Sequence, residues 1–320
     1  MATETLKTVS SPLQQMQRLG DLVREKIEGE TLDRIEKAGK EPTTSSEAFE
    51  GRNGYEAPFL EQWNIPIPIA KSEHEQDMRK LRRGGSGFEL KYQNFSVIMS
   101  VSRRLPMITA ANIDGASSVT KVPRITSWYF DGRLNKEDQW GDAIYDNNIL
   151  DRGHMVRRED PIWGDNWEIA NRDTFHFTNS CPQVAGVNQK TWLGLENFVL
   201  HHARVDGMKV NVYTGPFFRA DDIEYKGAQI PSAFWKVIAI VTEDGRRSAT
   251  AYKVSQEREL EELEYVYKAY KTFQISIQEV MDNTQLDFAN LLPYDGFSEH
   301  ERVTGRRIQE RIDHPENIRI

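Results

Sequence analysis

The sequence predicts an α+β protein with a central, mostly antiparallel sheet flanked by helices. Two observations carry this. Strand-like runs dominate, with Val210–Thr214, Ala233–Thr242, Ala249–Val254 and Thr272–Gln278 the clearest. Helical patterning is confined to a few segments, and the one at Gln189–His202 closely follows a strand-like stretch.

Taken in order, residues 1–50 form a helical extension. Leu13, Met16, Leu19, Leu22, Val23 and Ile27 recur at helical spacing, and the polar run Glu41–Ser46 follows as a linker. A strut packed on the main domain and an oligomerisation or docking element are both open readings of this helix. Residues 51–87 are rich in Gly, Pro and charge and read as an arm or linker, with Arg79, Lys80, Arg82 and Arg83 ahead of Gly84-Gly85. The main domain is expected over 88–296. Within it, Tyr92–Val101 and Ala110–Ile113 are strand candidates, Asp131-Gly132 marks a turn after Trp128-Tyr129-Phe130, and Asp173–Thr178 is strand-like. Trp192, Leu195, Phe198 and Val199 share one face of the Gln189–His202 helix, and a short helix is expected at Ile277–Thr284. Residues 297–320 are charged, poorly apolar and read as an appendage.

Composition excludes several classes. The 320 residues carry 41 Lys+Arg against 49 Asp+Glu, for a net charge of −8, which argues against coating nucleic acid by bulk charge. One cysteine excludes a disulfide framework and a multi-Cys zinc site. The start of the sequence has neither a secretory nor a transit signature. The longest apolar stretches are too short to span a bilayer. A cytoplasmic protein with no membrane association is the expectation.

The chemistry-bearing segment is Asp151-Arg152-Gly153-His154, followed by Asn179, Asn188 and Glu196. His is the side chain best matched to take a proton near neutral pH. Arg offers a permanent cation whose fork suits phosphate oxygens, and Gly153 permits close approach between them. Asn and Glu oxygens are hard donors suited to Mg²⁺. Asn188 and Glu196 lie eight positions apart, so on a helix they share nearly one face. A base, a phosphate-binding cation and a hard-metal helix together describe metal-assisted hydrolysis of a phosphodiester.

On these residues the chain resembles the DNA/RNA non-specific endonucleases, the sugar-non-specific family of the Serratia nuclease and endonuclease G. Further likeness lies in Thr214-Gly215-Pro216, in Ile230–Val237, in Phe273–Phe288 and upstream in Phe95–Gly115, so that it covers about residues 88–295. The resemblance implies a ββα-metal fold: two strands and a helix around one Mg²⁺, with Mn²⁺ as an alternative ion. It implies His154 as the general base, Asn188 as the direct metal ligand and Glu196 as a contact to the metal through water. It also implies Arg152 as the group that steadies phosphorane charge, and Asn179 as a residue that shapes the site. An upstream Arg contacts phosphate in the family; Arg124 is the choice here and Arg133 its rival. The implied products carry 5′-phosphates and 3′-hydroxyls. Nothing in the motif reads a base or a 2′-hydroxyl, so DNA and RNA are both expected substrates.

Other groups weigh less. His201-His202 lack partners at ligand spacing, His176 and Cys181 read as packed residues, and Ser180 lacks the context of a nucleophile. Trp163 and Trp167 read as core rather than base-stacking platforms. An active non-specific nuclease endangers its own cell, so an inhibitor, regulatory partner or larger defence complex is expected, together with a homodimer. The competing reading is a nuclease-like module that binds nucleic acid or protein without cutting. The acidic total is no obstacle to the first reading, because Arg124, Arg152, Arg157 and Arg158 supply local cations near the motif.

Overall fold

Alternation of side chains on long apolar strands determines the architecture. In the computed structural model, residues 41–71, 74–146, 150–184, 192–256 and 271–312 are described, with backbone only at 192–194 and 271. The chain divides into two units, Met1–Glu41 and Pro42–Ile320. The expected helix at Leu13–Ile27 lies outside the described residues, as does the segment 257–270.

The strands in chain order are β1 (Thr43–Thr44), β2 (Leu90–Tyr92), β3 (Phe95–Met99), β4 (Pro106–Asp114), β5 (Phe130–Asp131), β6 (Leu150–His154) and β7 (Ser180–Val184). They continue with β8 (Lys209–Phe217), β9 (Ile223–Tyr225), β10 (Ala228–Ile230), β11 (Ala233–Val241), β12 (Arg247–Ser255), β13 (Lys271–Ile275) and β14 (Glu310–Ile312). Four α-helices occur among the described residues: α1 (Trp167–Asp173), α2 (Trp192–Val205), α3 (Ile277–Thr284) and α4 (Gly296–Thr304). The main sheet has eight strands in the order β14-β13-β12-β11-β8-β4-β3-β2, every pair antiparallel. The expected α+β class with an antiparallel sheet is what is found.

Strand β11 shows why the sheet is covered on both sides. Trp235, Val237 and Ala239 join the core on one face, with Tyr55, Trp63, Ile277 and Val280. Phe234, Ile238 and Ile240 join the core on the other, with Leu195, Val199 and Ala203 of α2. A period of two on a strand buried on both faces gives a continuous apolar run. The exception is Lys236, which shares the α2-facing side. Helix α2 also lies hard against the end of β4. A Cβ on Gly115 would fall 1.8 Å from the Ala203 carbonyl oxygen, so only glycine allows that approach.

Three boundaries read from sequence are corrected. Residues 51–87 are not an arm: Tyr55, Phe59, Leu60, Trp63, Ile65, Ala70 and Met78 are buried in the main core. The Tyr55 hydroxyl lies 2.5 Å from that of Tyr213 on β8. This coverage is irregular in backbone and has no period to betray it. Residues 42–50 belong to the main body rather than to the extension. Strand β1 pairs with β5, and Phe49 packs edge-on against Tyr92. Residues 297–312 are likewise integral, since β14 extends the main sheet beside β13. Asp295 caps α4 by accepting from the backbone N–H groups of Phe297 and Ser298, and from that of Ile277. Two local readings also change. The strand expected at Asp173–Thr178 is the end of α1, a turn and a short 3₁₀ stretch, Phe177–Asn179. Its alternating pattern reflects burial on every side, since Phe175 and Phe177 are both core residues. The strand expected over Tyr92–Val101 is found as β3, Phe95–Met99, but Tyr92 ends β2 and the two strands form a hairpin that turns through Asn94 at φ 69°. Among the described residues, no helix is long and apolar enough to cross a membrane.

Candidate active site

Strands β6 and β7 form a separate antiparallel pair whose register sets Gly153 opposite Cys181 and His154 opposite Ser180. Helix α2 follows in sequence. Met155 and Cys181 enter the same core as Leu195 and Val199, so the strand pair and the helix pack as one ββα unit. Side chains alternate along β6. Arg152 and His154 therefore share one side of the strand, and Asp151 and Gly153 the other.

A cleft of about 630 Å³ opens beside this unit, and it is lined by Arg124, Asp151, Arg152, His154, Arg157, Arg158 and Glu196, among others. The structure thus brings Arg124, Arg152, His154 and Glu196 together. The His154 ring lies 4.8 Å from Trp128 and 5.1 Å, edge-on, from Phe175. Among the described residues its buried Nε2 has no hydrogen-bond partner. Burial, then the positive fields of Arg124, Arg158 and Arg152, hold its pKa down to about 3. The imidazole is therefore neutral at ordinary pH.

Arg152 is anchored to Asp142 at 2.5 Å and lies over the rings of Tyr145 and Trp128. Arg124 is exposed at the cleft and makes no ion pair or hydrogen bond among the described residues. Its rival Arg133 is excluded from the site. It is buried, bonded to Asp131 at 2.7 Å and stacked on Phe49 and Tyr92, where it holds the core together.

Asn179 does not line the cleft. It is fully buried and works on backbone: its Oδ1 accepts from Val156 N–H at 2.8 Å, and its Nδ2 donates to the carbonyls of Val156 and Thr174. Its own carbonyl accepts from Met155 N–H. The two residues after His154 are thereby clamped, which sets where β6 ends and the imidazole points. Asn188 lies outside the described residues.

Glu196 is 8% exposed on α2 and is paired with Lys236 of β11, Nζ to Oε1 3.3 Å. Lys236 also donates to Thr214 Oγ1 at 3.0 Å. Among the described residues Glu196 Oε1 has no hydrogen-bond partner and meets Lys236 as an ion pair. A buried carboxylate oxygen left in this state suits a cation or a cation's water. Among the described residues, no group of three or more His, Cys, Asp or Glu could hold a metal. The donor chemistry present fits a hard ion held by few protein oxygens.

Four features escaped sequence reasoning. Trp128 and Phe175 wall the imidazole, but aromatic residues are common and carry no spacing signal. Lys236 did carry one, as a lone charge inside an apolar strand. Asp160 is buried near Lys236, and burial raises its pKa to about 7. Gln183 packs over Gly153, where a Cβ would fall 2.1 Å from Gln183 Oε1, and both amide atoms of this buried side chain lack partners. Gly153 is thus required by close packing within the strand pair. The other candidates behave as packed or surface groups. His176 bonds to the Asp173 carbonyl and to Thr44, and Cys181 is buried with its thiol pKa raised by that burial. His201 and His202 are exposed, and Trp163 packs at a tilt on Phe59 against the main core.

Comparison with known proteins bears on family and fold. A family model for the DNA/RNA non-specific endonucleases matches residues 76–295. An uncharacterised protein, y4fB of Sinorhizobium fredii, is 35% identical over 294 residues, covering 83% of this chain and 43% of that protein. The nuclease of Serratia marcescens is 34% identical over 123 residues, covering 36% of this chain and 45% of the nuclease. The chain therefore spans less than half the length of these relatives. In fold, it is similar to a crystal structure of the EndoG/EndoGI complex, concerned with the mechanism of EndoG inhibition. The TM-score is 0.51 at 18% identity, covering 64% of this chain and 86% of that one.

Proposed function

Because this chain belongs to the DNA/RNA non-specific endonuclease family, we propose that its cleft is a Mg²⁺-assisted phosphodiesterase centre that cuts both DNA and RNA. The observation that carries the reading is the neutral, partner-free Nε2 of His154 inside a cleft lined by Arg124, Arg152 and Arg158. Asn188, and Glu196 through a water, would hold the ion, and Mn²⁺ satisfies the same donors. When bound, the metal supplies charge neutralisation at the scissile phosphate.

The chain's own residues do the rest. Arg124 and Arg152 take the phosphate oxygens and steady the extra negative charge of the five-coordinate state. His154 Nε2 removes a proton as the water oxygen bonds to phosphorus in line with the departing O3′. The P–O3′ bond breaks, O3′ takes a proton from solvent, and the products are a 5′-phosphate and a 3′-hydroxyl. Trp128 and Phe175 keep the imidazole oriented, and Asn179 acts at one remove by clamping Met155 and Val156. The substrate also tunes the base. A phosphate placed among Arg124, Arg158 and Arg152 offsets the field that depresses His154, so the imidazole becomes a better proton acceptor once substrate is in place.

This gives a test. The pH dependence of kcat/KM reports groups of the free enzyme. A base is active only when deprotonated, and a lowered pKa extends the active form toward acid. The acid limb of kcat/KM on DNA and RNA is therefore expected well below the ordinary histidine value near 6.5. Arg124→Ala removes a cation from beside the ring, so it should lower kcat/KM and move that limb to higher pH. An acid limb at the ordinary histidine value, unmoved in Arg124→Ala, would contradict the assignment, and absence of cutting would contradict the function.

The proposal extends to control. A homodimer and an inhibitor or regulatory partner remain part of it, the latter favoured by the fold's likeness to a chain solved in an inhibition complex. Residues 1–41 form their own unit and are proposed as the oligomerisation or docking element.

A further inference from the structure

Beside the catalytic cleft lies a second groove, of about 540 Å³, which shares Arg157 and Glu159 with it. Its floor is the outward stripe of α2, where Asn197, His201 and Arg204 recur at helical spacing. Glu159 stands between the two spaces. Its carboxylate lies 3.0 Å from Arg158, 3.4 Å from Arg204 and 3.7 Å from Arg157. One carboxylate cannot neutralise three guanidinium groups, so the ridge retains positive charge.

The arginines of the groove are held in place. Arg204 Nε donates to Ser118 Oγ at 2.8 Å, and Arg157 Nη2 donates to Asn197 Oδ1 at 2.7 Å. Yet among the described residues Arg157 Nη1 and Arg204 Nη2 are each buried without a hydrogen-bond partner. Two guanidinium groups fixed along one groove, each with a donor nitrogen unspent, are suited to an anionic oxygen acceptor. We propose that this groove is a second phosphate subsite. It takes a backbone phosphate of the strand being cut, away from the scissile one, so that longer polynucleotides bind across both spaces. The inference rests on the phosphodiesterase reading of the cleft but concerns the length of strand engaged.

The test uses the full chain and two labelled single-stranded DNA probes, with binding followed by fluorescence anisotropy in chelator. One probe is short enough to occupy the cleft alone and the other long enough to cross both grooves. Arg204→Ala is expected to weaken the long probe about tenfold, the size of one lost charge-assisted contact. It should also reduce the slope of log affinity against log salt by about 0.7. The short probe should hardly change. Arg204→Lys keeps the charge, so it should keep the slope and recover part of the affinity, which separates the role from folding. Equal loss on both probes, or no loss on the long one, overturns the subsite. Wild-type protein that binds with this length dependence but never cuts with Mg²⁺ overturns the nuclease reading and leaves the groove standing.

Discussion

His154→Ala is expected to lower the rate of DNA and RNA cleavage by about 10²- to 10⁴-fold, the usual contribution of a positioned general base. The magnitude follows from what the ring supplies. Among the cleft-lining side chains described, its Nε2 is a neutral nitrogen without a hydrogen-bond partner, and the arginines around it cannot accept a proton. The loss should appear in kcat, because the arginines that hold phosphate remain. Binding of DNA in chelator should stay within a few-fold of wild type. Truncation also leaves a gap between Trp128 and Phe175, so His154→Asn serves as the better-filled control for folding. Near-normal cutting by both variants would remove His154 from the mechanism.

The second large effect is on stability. Lys236→Met should destabilise the fold by about 3–5 kcal/mol, because it strands the Glu196 carboxylate without its cation. Lys236 is 1% exposed, on the α2-facing side of β11 between Phe234 and Ile238. Methionine fills similar space, so the missing charge dominates. Glu196→Gln introduced into the Lys236→Met protein should restore most of the loss. Denaturant unfolding of the four proteins in a double-mutant cycle isolates the coupling. Additive effects, or a Lys236→Met protein as stable as wild type, would mean that the pair does not secure α2 to the sheet.

Much of this molecule is legible in its sequence wherever a period or a fixed spacing exists. Strands β8, β11 and β12 stand out as apolar runs buried on both faces, and helix α2 by apolar residues that repeat on one face. The motif residues Arg152 and His154 are neighbours on one strand, and Glu196 follows on the helix packed against it, so local order brings them to one cleft. What stayed hidden depends on contacts between distant residues. Tyr55, Phe59 and Trp63 cover the sheet through irregular chain, which has no signature. Arg124 and Arg133 flank the same aromatic run and look alike in sequence. Only the Asp131 ion pair and the stacking on Phe49 and Tyr92 consign Arg133 to the core. The Lys236–Glu196 pair joins a strand and a helix forty positions apart in sequence, although the lone lysine in an apolar strand hinted at a buried partner.

Incubation of supercoiled plasmid DNA with the full chain, in Mg²⁺ and in parallel with excess chelator, tests the central claim most directly. The account predicts conversion to open circles, linear DNA and fragments in Mg²⁺ alone, with ends that a DNA ligase rejoins because they carry 5′-phosphates and 3′-hydroxyls. Plasmid left intact in Mg²⁺, or degraded equally in chelator, would contradict a metal-assisted phosphodiesterase centre at His154.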